Sequence, residues 1–164
     1  MQDIRTVETF RSFDLEFEWK IGPKGNSGVK YLLQKTDEWT RAGARQARAR
    51  GFEYQLADDA NEEAVNDTSR AAASLYSAIP PSPRLPPRIG EFNRSRIVVD
   101  GTRVEHWLNG TKVVQFDTGG PAALKLLQGL RKNAEPQFRD GSPVCLQNHG
   151  SPVWFRNLRV RRLD

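Results

Sequence analysis

The chain has 164 residues, 37% hydrophobic and 27% charged, with 25 Lys and Arg against 20 Asp and Glu for a net charge of +5. That length suits a single domain, residues 1–164, with a two-layer core, and the lone Cys145 excludes an internal disulfide and reads as a small core residue. The arginines gather at Arg41, Arg45, Arg48 and Arg50 and at Arg156, Arg159, Arg161 and Arg162 without an RNA-binding aromatic signature or a helix-turn-helix, so no nucleic-acid partner is expected, and no apolar run reaches the length of a signal or membrane segment.

After a polar start, Phe13, Leu15, Phe17, Trp19 and Ile21 alternate with Asp14, Glu16, Glu18 and Lys20, the period of a half-buried strand. Gly25, Asn26, Ser27 and Gly28 form a polar turn, with Lys30 shortly after it. Thr36 to Arg50 reads as a polar loop with little to pack. Phe52, Tyr54 and Leu56 then alternate with Glu53 and Gln55, which puts the last two on one strand face about 7 Å apart. Asp58 to Ser74 and the proline-rich Ile79 to Gly90 are long connections of the kind that shape binding sites.

Further along, Arg96 to Asp100 leads into Val104 to Leu108, and Asp100-Gly101 and Asn109-Gly110 are hairpin signals. Helical periodicity is weak, confined to a turn or two around Glu62 to Val65 and Ala122 to Leu130. In the last strand the apolar positions change phase, from Val153 and Phe155 to Leu158 and Val160, which predicts a bulge near Arg156 or Asn157. Many short strands with little helix predict an all-β fold, an antiparallel β-sandwich of two packed sheets. Trp19, Trp107 and Trp154 read mainly as core. Two histidines without a His-x-His or paired-cysteine spacing do not make a zinc site.

Four blocks, taken in order, resemble the 3-keto-disaccharide hydrolase family, formerly a domain of unknown function. They are Phe13 to Lys20 with Gly25-Asn26-Ser27-Gly28; Gly51-Phe52-Glu53-Tyr54-Gln55; Glu105-His106-Trp107-Leu108-Asn109-Gly110; and Leu146-Gln147-Asn148-His149-Gly150 followed by Trp154-Phe155-Arg156-Asn157. The resemblance runs from about Thr6 to the C-terminus, with Asn148, Ser151 and Phe92 standing where family members often carry Asp, Asp and Trp. It implies a jelly roll of the concanavalin A-like lectin and glucanase type, with a carbohydrate lying across a concave sheet. The implied substrate is a glycoside whose ring 3-hydroxyl has become a ketone, so that the C2 proton is acidified and the C1 group can leave by elimination.

On that reading His149 or His106 is the base, Lys30 or Arg156 stabilises the oxyanion, and Glu53 is the acid or orients the histidine. Asn26, Gln55, Gln147 and Arg156 bind substrate. A divalent cation held by Glu53 and a histidine could replace the cationic side chain. The alternative is a non-catalytic, lectin-like carbohydrate-binding module. Family members are commonly exported and carry some tens of residues ahead of the Phe13 strand. The chain therefore reads as shortened at its start, with a sheet edge left to pair with a second copy as a homo-oligomer.

Overall fold

The computed structural model describes residues 3–131 and 135–164. The strands are β1 (Ile4–Arg5), β2 (Phe13–Ile21), β3 (Asn26–Arg41), β4 (Ala44–Ala57), β5 (Asn93–Asp100), β6 (Arg103–Leu108), β7 (Thr111–Asp117), β8 (Cys145–Leu146) and β9 (Val153–Arg162). Two helices join them, α1 (Glu62–Asn66) and α2 (Pro121–Arg131), with one 3-10 turn at Thr68–Arg70. All strand pairings are antiparallel and form two sheets, one in the order β1-β8-β3-β4 and one in the order β7-β6-β5-β2-β9. This is the sandwich that the period-two patterning predicts.

The core lies between the sheets. From the larger sheet come Phe13, Leu15, Phe17, Trp19, Ile21, Ile97, Val99 and Val104; the smaller contributes Val29, Tyr31, Phe52, Tyr54 and Leu56. Their rings meet edge to face, as Phe17 with Tyr54 and Tyr31 with Phe52 do. The hairpin turns fall at Asp100-Gly101 and Asn109-Gly110 as expected. So does the irregularity in the last strand: Phe17 faces a shifted register between Arg159 and Arg156, and Asn157 adopts a left-handed backbone.

Three expectations are corrected. Thr36 to Arg50 is not a loop but the distal half of the β3–β4 hairpin, whose turn at Ala42-Gly43 has positive φ at both residues. Its polar composition reflects two strand faces outside the sandwich, held by Asp37 paired to Arg50 and Lys35 and by Glu38 paired to Arg45. We refer to it as the arm.

His106 is not at a surface. It is fully buried on the inner face of β6, because the alternation that turns Glu105 and Trp107 outward turns His106 in. Nδ1 lies 2.9 Å from the Ala73 carbonyl, which can only accept; Nδ1 therefore carries the hydrogen, and Nε2 accepts from the Tyr31 hydroxyl at 2.6 Å. The ring thus ties the larger sheet to Tyr31 of the smaller one. Burial pushes its pKa down to about 4.

Arg156 belongs to the larger sheet and points away from the smaller one. Its guanidinium pairs with Glu18 at 2.6 Å and lies 3.7 Å from the Phe92 ring centroid. β9 is an outer strand of its sheet, with exposed Leu158 and Val160 beside the exposed Arg159 and Arg161. A second copy pairing antiparallel there would set arginines against arginines.

The buried histidine makes stability depend on pH. His106 titrates near 4 in the folded chain and near 6.5 when unfolded, so between these values the unfolded chain binds more protons. The contribution of His106 to stability is therefore full above pH 6.5 and falls as the pH drops towards 4. His106→Gln should melt lower at pH 7.5, since it disturbs the bonds to Tyr31 and Ala73 by roughly 2 kcal/mol, and in paired thermal melts the gap between its midpoint and that of the wild type should narrow between pH 6.5 and 4.

Candidate functional site

The β3–β4 register sets core against site. Val29 pairs with Tyr54 and Tyr31 with Phe52 on the inner face, so the intervening pairs, Gly28 with Gln55 and Lys30 with Glu53, lie together on the outer face. Cys145 of β8 pairs with Lys30 and extends that row, while the Gln147 N–H donates to the Gly28 carbonyl at 2.8 Å. Glu53, Lys30, Gln55 and Gln147, drawn from three segments of the chain, thus share one surface of the smaller sheet.

That surface is covered, which gives its polar groups unusual properties. The stretch Ala73–Tyr76 runs along β4, with Tyr76 N–H donating to the Glu53 carbonyl and Gln55 N–H to Ser74. Tyr76, Leu126 and Leu130 then close a cleft of about 120 Å³ whose polar lining includes Glu53, Lys30 and Arg48. Desolvation there raises the Glu53 pKa to about 7, even though Lys30 and Arg48 pull it down. The carboxylate finds room because residue 28 has no side chain. A Cβ there would collide with Glu53 Oε1 and stand 2.8 Å from its Cδ and Cγ.

Lys30, only 2% exposed, donates from Nζ to Asp3 Oδ2 at 3.0 Å. Asp3 is a hub: Oδ2 also accepts from Ala49 N–H at 3.4 Å, and Oδ1 from Asn148 N–H at 3.1 Å. One carboxylate therefore fastens the buried ammonium, the root of the arm and the turn that carries His149. Beside it the arm leans over the sheet and bounds a larger cleft of about 380 Å³, lined by Asp3, Trp39, Arg48, Gln147, Asn148 and His149 among others. Arg48 lines both clefts.

Glu53 and Lys30 share the inner cleft, and Gln147 and His149 the outer one, all on one face of the smaller sheet. Gln55 is 1% exposed and donates from Nε2 to Asn26 Oδ1 at 3.1 Å, so Asn26 supports Gln55 at the buried end of the row rather than reaching a cleft. Among the described residues the Oε1 atoms of Gln55 and Gln147 are buried without a hydrogen-bond partner, and both residues flank Gly28, over which Glu53 lies. His106 and Arg156 are not part of this surface: the first is sealed between the sheets and the second lies on the other sheet. A cation shared by Glu53 and His106 is excluded by the core that separates them. Among the described residues no cluster of three or more His, Cys, Asp or Glu side chains could hold a metal ion.

Sequence reading missed Asp3, Trp39, Arg48 and Tyr76. Only Trp39 left a trace: a large aromatic within a charged stretch whose centre, Ala42-Gly43, is a plausible two-residue turn. The others owe their roles to chain crossings that no local pattern encodes.

Residues 1–161 match the family model of the 3-keto-alpha-glucoside-1,2-lyase-like domain. A 3-keto-disaccharide hydrolase of Bacteroides thetaiotaomicron is 32% identical over 181 residues, an alignment spanning 99% of this chain and 62% of that protein. The chain thus spans under two thirds of that relative's length. Two crystal structures of Parabacteroides distasonis proteins assigned as glycosyl hydrolases are similar in fold. One has a TM-score of 0.77 at 31% identity, covering 99% of this chain and 74% of its own. The other has a TM-score of 0.74 at 23% identity, covering 99% and 83%.

The raised carboxyl of Glu53 is a cost to the fold. The folded chain holds this proton up to about pH 7, whereas an ordinary unfolded Glu releases it near 4.5, so the contribution of Glu53 to stability falls as the pH rises from 4.5 through 7. Glu53→Gln, which carries no charge at any pH, should therefore melt several degrees above the wild type at pH 8 and converge with it near pH 4. Paired thermal melts at the two pH values check this.

Proposed function

The chain belongs to the 3-keto-alpha-glucoside-1,2-lyase-like domain family, and from that premise we propose that it cleaves 3-keto-glycosides by removing the proton at C2, with Glu53 moving the proton and Lys30 holding the charge that develops. The observation that carries this reading is the pairing of Glu53 and Lys30 in one desolvated cleft, the carboxyl with a pKa of about 7. A base that titrates near neutrality is available as carboxylate yet strong enough to take a proton acidified by a neighbouring ketone. An ammonium beside it supplies the complementary charge.

The steps balance as follows. Glu53 carboxylate takes the proton from C2, and the electron pair of that C–H bond moves into the ring ketone to give an enolate whose O3 accepts from Lys30 Nζ. One Lys30 hydrogen is committed to Asp3, which leaves others for the enolate. The enolate then collapses: a C1–C2 double bond forms, the ketone returns, and the C1–O bond breaks with its electrons on the leaving oxygen. That oxygen needs a proton, and His149 at the rim of the outer cleft, or Glu53 now protonated, is positioned to give one. Addition of water across the double bond would complete net hydrolysis. The unpaired Oε1 of Gln147, in the outer cleft, offers an acceptor for a sugar hydroxyl.

Turnover of a purified 3-keto-glycoside tests the scheme. The kcat/KM profile should rise with pH through an apparent pKa near 7 as Glu53 ionises. Glu53→Gln should lower kcat by roughly 10²-fold or more, the usual worth of a positioned acid or base, and Lys30→Met should do likewise. Arg156→Ala should leave kcat/KM unchanged, because its guanidinium belongs to the other sheet. Tight binding of the sugar by the wild type without turnover would replace this reading with a carbohydrate-binding module.

A further inference from the structure

The outer cleft contains something the chemistry at Glu53 does not need. Trp39 stands on the arm, 43% exposed, facing a space of about 380 Å³ that also holds Arg48, Asn148, Gln147 and His149. The other tryptophans are engaged elsewhere: Trp19 is buried with its indole donating to Ser95 at 2.8 Å, and Trp107 donates to Glu105 at 2.9 Å. Trp154 lies under Lys20, 4.5 Å from its ring centroid, on the larger sheet. Trp39 lies opposite Gln46 in the arm, away from the sandwich core.

We infer that Trp39 is the platform of a second sugar-ring subsite, which takes the pyranose on the far side of the bond being cleaved. This rests on the proposed reaction at Glu53 and adds to it the residue that takes the second ring of the disaccharides that the family's name implies. A pyranose presents an apolar C–H face and a rim of hydroxyls, the complement of an aromatic plane ringed by polar side chains. The cleft has that form, with Trp39 on the arm and Arg48, Asn148 and the orphaned Oε1 of Gln147 around it. That buried acceptor, 5% exposed as a residue, gains a donor when a ring hydroxyl reaches it. The subsite also joins the inner cleft through Arg48, so a second ring seated on Trp39 and a first ring over Glu53 would be linked through the C1 oxygen.

The discriminating measurement compares 3-keto-maltose, with two rings, and methyl 3-keto-α-glucoside, with one, on the wild type, Trp39→Ala and Trp39→Phe. Loss of the platform should raise KM for 3-keto-maltose about tenfold, leave both constants for the methyl glycoside unchanged, and be largely rescued by Phe. Equal effects on both substrates, or none on either, would overturn the subsite. If the wild type turns over neither compound, the reaction at Glu53 fails and the subsite is judged by binding alone. Maltose should then alter the tryptophan emission of the wild type but not of Trp39→Phe; the same response in both proteins, or no response in the wild type, would sink it.

Discussion

The alignment of β3 with β4 is the constraint on which everything else depends. Tyr31 must meet Phe52, and Val29 must meet Tyr54, for the smaller sheet to present a continuous apolar face to Phe13, Phe17 and Ile97. Once that is satisfied, Lys30 and Glu53 have no choice but to stand together on the other face. A slip of one residue would bury a lysine and a glutamate in the aromatic core and expose the tyrosines, at a cost that no local adjustment repairs. The catalytic pair proposed here is thus held in place by the hydrophobic effect acting on its neighbours. The His106 imidazole adds a directional bond to Tyr31 in the middle of that face, so the position of β3 is fixed by geometry as well as by burial.

Charge is distributed so that the two members of the pair behave differently. Lys30 has a dedicated counterion in Asp3, while Glu53 has none at hydrogen-bonding distance among the described residues. Had Lys30 paired with Glu53 directly, the carboxyl would be drawn well below the neutral range and would make a poor base. Placing Asp3 between the ammonium, the arm and the Asn148 turn relieves that attraction and ties together three elements distant in sequence. Tyr76, Leu126 and Leu130, which line the cleft beside Glu53, add to the desolvation that raises its pKa.

The strands were legible because alternation is written residue by residue. Phe13 to Ile21 and Phe52 to Leu56 declare their inner faces, and Glu53 and Gln55 follow as the outer one. The phase change after Phe155 marks the bulge that Asn157 accommodates. His106 was misread because a histidine in a polar-looking block carries no sign of which face its strand presents, although the neighbouring Val104 and Leu108 share its parity and are buried. Arg156 allows two readings in sequence, a sugar contact or a structural ion pair to Glu53 or Glu18, and the structure has the pair with Glu18, because the crossover after His149 sends β9 to the other sheet. The arm escaped notice since strands outside a sandwich have no core to write into their pattern.

Where the arm leaves the sandwich, Leu32, Leu33 and Gln34 oppose Gly51 alone, and any Cβ at position 51 would stand within 2.9 Å of Leu33 and Tyr31 backbone atoms. This kink uncouples two lengths that a plain hairpin would keep in step. Below it, the register of the core pairs and of Lys30 with Glu53 is fixed; above it, the hairpin is paired residue by residue up to its turn at Ala42-Gly43. On this plan the reach of the arm can change by small insertions at one turn while the pairing of Lys30 with Glu53, and with it the proposed proton transfer, stays as it is.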